Sequence, residues 1–282
     1  MEINNNALIV GASRGIGLGF VKQLLLNPKI KQIYATYRHS SSASQLLSLQ
    51  TKYPEKLTCL PLEITREQDI AWVIEKIKQD IGKLHLVINC VGILHEGNLQ
   101  PEKGLRQIDF AQLTRYFQVN SIGSVLLAKH LPAVLKHSER SVFASISAKV
   151  GSIGDNYLGG WYGYRASKAA LNMFMRTTAI EYRRKIPQAI VVSLHPGTTD
   201  TQLSQPFQKN VPPEKLFSVE QTACQLLKVI ENLTSSDSGK FFNWDGTILP
   251  CDRDLEIKHP LGNVAEVSLH KVWTGEFMTE LR

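Results

Sequence analysis

Along the first 250 residues, short runs of apolar residues alternate with longer stretches in which apolar side chains recur every three or four positions. The runs predict strands over 6–10, 32–37, 57–62, 84–90, 141–147, 189–195 and 240–244, and the periodic stretches predict helices over 15–27, 66–81, 110–136, 164–184 and 218–233. Strand and helix in alternation are the sequence sign of βαβ units. The expected class is α/β, a doubly wound parallel sheet of about seven strands with helices on both faces. For the helix over 66–81, Thr65 reads as the cap, Gln68 completes a capping box and Gly82 suits the exit. Ser40, Ser41, Ser42 and Ser44 read as a short polar loop.

Composition narrows the function. With 282 residues and 43% apolar content, the chain can bury a large core as one domain. Met1 to Asn6 hold no basic region before the first apolar run, so no signal peptide is expected. The segment over 7–26 carries Arg14, Lys22 and several glycines, which excludes a membrane span. Cys59, Cys90, Cys224 and Cys251 stand far apart without a CxxC pair. They read as core fillers in a reducing cytoplasm, and no metal site is expected. The net charge of +7 is scattered rather than gathered in one block, which suits a solvated basic surface and no nucleic-acid partner.

Two segments carry chemistry. Val10-Gly11-Ala12-Ser13-Arg14-Gly15-Ile16-Gly17 follows an apolar run and precedes helical spacing, giving strand, glycine loop and helix. Glycines let the backbone approach a pyrophosphate, whose charge the N–H groups at the helix start then stabilise. This is a Rossmann-like dinucleotide site. In Tyr164-Arg165-Ala166-Ser167-Lys168 a phenol and an ammonium lie four residues apart, so on a helix they share a face. A free tyrosine titrates at roughly 10, and a neighbouring lysine can ease proton exchange near neutral pH.

With both segments in place, the chain resembles the short-chain dehydrogenase/reductase family in its classical form, from about Asn6 to Pro250. Asn89-Cys90-Val91-Gly92 is similar to the family's NNAG segment, Asn120 to its active-site asparagine, and Pro196-Gly197-Thr198-Thr199-Asp200-Thr201 to its PGxxxT segment. Ser147 to Ile153 and Gly160 to Arg165 resemble the C-factor and sniffer-like carbonyl reductase branch. The GxxxGxG spacing of Gly11, Gly15 and Gly17 disfavours an extended-type epimerase or dehydratase.

The resemblance implies an NADPH-dependent oxidoreductase that reduces a carbonyl to an alcohol, with Tyr164 as proton donor. Lys168 lowers the Tyr164 pKa and binds the nicotinamide ribose, and Asn120 holds a water that links Lys168 to solvent. The implied cofactor residues are Gly11, Ser13, Arg14, Gly15, Ile16, Gly17, Arg38, Glu63, Ile64, Asn89, Val91, Gly92, Tyr164, Lys168, Pro196, Gly197, Thr199 and Thr201. Arg38 follows the second strand with no acid nearby, and Arg14 adds a second cation on the same side. Both favour NADP(H) over NAD(H), whose ribose calls for a carboxylate. Where the family usually ends its fifth strand with two serines, this chain has Ser147-Ala148. Either Ser147 polarises the carbonyl, or Ser152 does, or the site works without a serine, and Ser147 is the favoured choice.

Ile93, Leu94, Tyr157, Trp161, Tyr162 and the segment from Leu203 to Phe217 are expected to line a pocket suited to a hydrophobic small-molecule carbonyl. His195 reads as structural and His95 as solvated. A homodimer or homotetramer would pair through the helices over 110–136 and 164–184. The expected division is a domain over 1–250 and an extension of unknown role over 251–282. That tail resembles the end of the iron–sulfur auxiliary domains of radical enzymes, but with Cys251 alone it reads better as a docking or oligomer-contact segment. The alternative to an enzyme is an NADP(H)-binding signalling protein of the C-factor type.

Overall fold

The structure is a computed structural model and describes residues 5–250. Its strands are β1 (Asn5–Val10), β2 (Ile30–Tyr37), β3 (Leu57–Pro61), β4 (Leu86–Asn89), β5 (Ser141–Ile146), β6 (Ala189–His195), a side pair β7 (Thr198–Thr199) and β8 (Leu216–Phe217), and β9 (Phe241–Asn243). The main sheet runs β3-β2-β1-β4-β5-β6-β9, and all its pairings are parallel. Each of the seven expected strands is present within two residues of its expected bounds. Parallel strands covered on both faces are apolar almost throughout, and that made them legible.

The helices are α1 (Gly15–Leu26), α2 (Ser44–Lys52), α3 (Glu67–Ile81), α4 (Phe110–Phe117), α5 (Gly123–His130), α6 (Pro132–Leu135), α7 (Tyr162–Lys185) and α8 (Val219–Asn232). Successive strand residues face opposite sides, so β1 sends Ala7 and Ile9 to one layer and Leu8 and Val10 to the other. The first layer packs Phe20 and Leu24 of α1 with Leu226 of α8. The second packs Ile70 and Ile77 of α3, Leu127 of α5 and Leu171 of α7. Gly19 lets α1 and α8 meet closely: a Cβ there would lie 2.6 Å from Val219 Cγ1.

Several local expectations are corrected. No side chain caps α3, whose N-cap is Arg66. Thr65 Oγ1 donates instead to Glu63 Oε1 at 2.9 Å, and the Glu63 N–H donates to Asp69 Oδ2 at 3.1 Å. Gly82 does form the exit, with φ of +74°. The helix expected over 110–136 is three pieces, with a π-helical turn over Gln118–Ile122 between α4 and α5 and with Pro132 opening α6. The serine loop runs directly into α2, which buries only Leu46 and so has a weak apolar stripe. Ser218, the first residue of the helix expected over 218–233, is the N-cap of α8 and accepts from the Gln221 N–H. Of the cysteines, Cys59 and Cys90 are half-buried against the core, with burial pushing the Cys59 thiol up to about 11. Cys224 is exposed and is no core filler. Cys251 and the tail lie outside the described residues. No helix among the described residues is long and apolar enough to cross a membrane.

Gly19→Val should force α1 and α8 apart and cost about 1–3 kcal/mol, as overpacked cores do. Urea denaturation monitored by circular dichroism measures that loss.

Candidate active site

The sheet order reverses between β1 and β4, and the crevice at their C-terminal ends is where such folds hold dinucleotides. The glycine loop fills it. Gly11 takes φ of +80° and Gly15 φ of +53°, conformations that favour glycine. A Cβ on Gly17 would lie 2.2 Å from Gly11 O, so no side chain fits there. The loop is fastened to β2 by Gly11 N donating to Thr36 Oγ1 at 3.1 Å and Ala12 N to Thr36 O at 2.7 Å. Val91, after β4, packs on Gly11 from the other side, and the Val91 N–H donates to Asn89 Oδ1 at 3.1 Å. Thr201 reaches Gly15, and Thr199 Oγ1 lies 2.9 Å from Thr222 Oγ1 on α8. Ser13 and Ile16 lie on the loop between these ties, and Pro196 and Gly197, the latter at φ of +69°, turn the chain out of β6. Ile64 packs against Gly123 of α5. Glu63, expected among the cofactor residues, accepts from Thr65 N and Oγ1.

Across the crevice stands α7, on which Tyr164 and Lys168 are both buried, at 7% and 3% exposure. Lys168 Nζ lies 5.9 Å from the centre of the Tyr164 ring and donates to Ile146 O at 3.0 Å. Burial pushes the Tyr164 phenol up and pulls the Lys168 ammonium down to about 8. Burial acts on the Tyr164 phenol in the direction opposite to the lowering that the family resemblance attributes to Lys168. Asn120, in the π turn, donates from Nδ2 to Ile93 O and Ser167 Oγ and accepts at Oδ1 from Ile93 N, all within 3.0 Å. A Cβ on Gly92 would touch both Lys168 Nζ, at 3.3 Å, and Asn120 Oδ1, at 3.5 Å.

Ser147 is brought to a different partner. Its hydroxyl donates to Asn172 Oδ1 at 2.7 Å, and a hydroxyl has one hydrogen to give. Ala148 is the residue that packs with Tyr164, in an apolar cluster with Leu94, Leu99, Tyr116 and Trp161. Ser152 is buried beyond the Lys149–Gly151 turn. Of the expected pocket residues, Ile93, Leu94, Trp161, Leu203 and Phe207 join this cluster. Trp161 stacks edge-on against Phe207 with centroids 4.9 Å apart. Tyr157 is 70% exposed, and Phe217 packs on Trp244 instead. Burial lowers the His195 pKa to about 4, which keeps that ring neutral. His95 is not simply solvated, because Nε2 bonds Gln202 O at 3.1 Å.

Some residues at the site had no motif. Glu102 is buried and receives the Gly163 N–H at 3.1 Å, while its carbonyl receives that of Trp161 at 2.5 Å, so it closes the N-terminus of α7. Tyr116 donates to Leu94 O at 2.6 Å. Arg38 pairs with Glu96 at 2.8 Å, and Arg14 donates to Gln202 Oε1 at 2.5 Å. No sequence signal pointed to Glu102, which stands in the polar run Gln100-Pro101-Glu102-Lys103.

A sheet that opens its switch point onto a buried phenol and ammonium defines a dinucleotide-dependent oxidoreductase. The family model described as short chain dehydrogenase matches residues 5–212, and the chain belongs to that family of NAD(P)-dependent enzymes. Among solved structures, the NADPH-bound carbonyl reductase from chicken fatty liver is 30% identical with a TM-score of 0.78, and the match covers 88% of this chain and 99% of that one. The carbonyl reductase Sniffer of D. melanogaster is 26% identical with a TM-score of 0.77, covering 88% and 99%. The C-signal protein of Myxococcus xanthus is 32% identical over 147 residues, 52% of this chain and 82% of that protein. These place the chain near the C-factor and sniffer branch of the family.

A second family model, an iron–sulfur cluster-binding domain, matches residues 236–282. Cys251 is the only cysteine in that stretch, so the residues do not fit a cluster, which needs several thiolates. No group of ligating side chains that could hold a metal occurs among the described residues.

Gly17→Ala should abolish dinucleotide binding while the protein stays folded, because the added methyl collides with the Gly11 carbonyl. Tryptophan fluorescence titration with NADPH, beside a circular dichroism spectrum, measures both.

Proposed function

We propose that this protein reduces an aldehyde or ketone to the alcohol with NADPH. The observation that carries the reading is the burial of Tyr164 and Lys168 side by side on α7, with Tyr164 in an apolar cluster with Leu94, Leu99 and Tyr116. Bound NADPH would supply the hydride. The glycine loop would receive its pyrophosphate, Arg14 and Arg38 its 2′-phosphate, and Lys168 its nicotinamide ribose. The likeness to a structure described as an NADPH-bound carbonyl reductase supports the phosphate assignment.

Tyr164 is the proton donor. Burial keeps its phenol protonated, which is the form that reduction requires. Asn120 and Lys168 meet beside Gly92, and that adjacency supports the reading that a water held by Asn120 returns a proton toward Tyr164. With Ala148 at the pocket and the Ser147 hydrogen given to Asn172, the Tyr164 hydroxyl is the group that receives the carbonyl oxygen. The apolar lining by Leu94, Leu99, Trp161 and Phe207 favours hydrophobic carbonyls over charged ones. Exposed Phe110, Ile122, Met173 and Ile180 on the helices expected to pair subunits support a homodimer or homotetramer.

Tyr164→Phe should reduce turnover to background and leave the NADPH dissociation constant unchanged. Stopped-flow assays with a panel of aromatic and aliphatic aldehydes and ketones test this, and a wild-type protein that binds NADPH without oxidising it on any of them would overturn the reading. The rate should also fall as pH rises through about 8. Lys168 is charged below its lowered pKa and loses its proton above it, so the active form is the low-pH one. A pH profile of kcat/KM locates that descending limb.

A further inference from the structure

The NADPH reading gives Arg38 to the 2′-phosphate, yet Arg38 already has a partner. Its Nη2 lies 2.8 Å from Glu96 Oε1, while Glu96 Oε2 receives Nη2 and Nε of Arg115 at 2.9 and 3.2 Å. One carboxylate thus holds two guanidinium groups, one on each oxygen. We propose that Glu96 is a cofactor-specificity residue: it competes with the ribose 2′-phosphate for Arg38, and so sets how strongly the site prefers NADPH to NADH. This inference rests on the phosphate assignment above.

Glu96 is tied to the fold through its backbone and through Arg115. Glu96 pairs with Leu99 across a tight turn through backbone bonds of 3.2 and 3.0 Å, and Leu99 is buried against Tyr164. Arg115 ties Glu96 to α4, next to Tyr116, whose hydroxyl holds Leu94 O. The Arg38 side chain, 39% exposed, follows β2, where the adenosine ribose of a bound dinucleotide comes to lie. An ion pair this exposed is weak, so a phosphate with up to two negative charges can take the guanidinium from it. Arg14 is held differently: its partner Gln202 is neutral. Glu96 therefore brings a negative charge to the place a phosphate would approach, and it is anchored to the wall of the substrate pocket.

Competition of this size should change affinity by roughly fivefold, the range of an exposed ion pair. The test titrates the full chain with NADPH, NADH and 2′,5′-ADP by calorimetry, comparing the wild type with Glu96→Gln, Arg115→Gln and Arg38→Gln. Glu96→Gln should tighten NADPH and 2′,5′-ADP about fivefold and leave NADH unchanged. Arg115→Gln, which leaves Glu96 to Arg38 alone, should weaken the two phosphorylated ligands. Unchanged or weaker NADPH binding in Glu96→Gln, or an equal gain for NADH, overturns the inference while a reduced NADPH preference in Arg38→Gln keeps the phosphate assignment. An unaltered preference in Arg38→Gln overturns the assignment and the inference together.

Discussion

The site depends on one amide. Asn120 joins the loop after β4 through both polar groups of Ile93, and it joins α7 through Ser167, whose hydroxyl in turn donates to Tyr164 O at 2.8 Å. Three separate stretches of chain are thereby held in one register: the glycine-loop neighbours Val91 and Gly92, the π turn, and the turn of α7 that presents Tyr164 and Lys168. The bonds lie in a buried setting where an unpaired amide would be costly, so the arrangement has few alternatives.

Around that tie, burial does chemical work in two directions. It raises the phenol of Tyr164 and lowers the ammonium of Lys168, because in each case the charged form loses hydration on burial. The wall above them is apolar, with Ala148 where a hydroxyl would have offered a second donor. Under the proposed reading, the Tyr164 hydroxyl is the polar group this wall leaves for a carbonyl oxygen, with the Trp161 and Phe207 rings packed edge to face beside it.

Much of this was legible in the sequence, for identifiable reasons. Strands buried on both faces leave continuous apolar runs, and glycines that admit no Cβ, such as Gly17, are fixed by local backbone geometry. Tyr164 and Lys168 share a helix face by spacing alone. What escaped depends on distant partners. Ser147 looked available until Asn172, 25 residues later, took its hydrogen. Glu102 reaches Gly163 across 61 residues, and no short motif encodes such a contact. The capping box at Thr65 failed because α3 starts one residue later than expected, with Arg66 at its N-cap. Of the two breaks in the helix over 110–136, Pro132 marked the second in the sequence, whereas the π turn needs no glycine or proline and left no signal.

That break makes the length of the segment matter more than its composition. An α-helix turns by about 100° per residue, so the wider turn over Gln118–Ile122 resets the phase between α4 and α5. Tyr116 can then face the pocket while Leu127 faces the core. Losing one residue here would let a regular helix close up, and it would swing one of those two faces away from its partner. Substitution along the exposed side of this stretch leaves the phase intact, whereas an insertion or deletion does not. Variation among functional relatives is accordingly expected in identity at the exposed Gln118 and Ile122, and not in the count of these five positions.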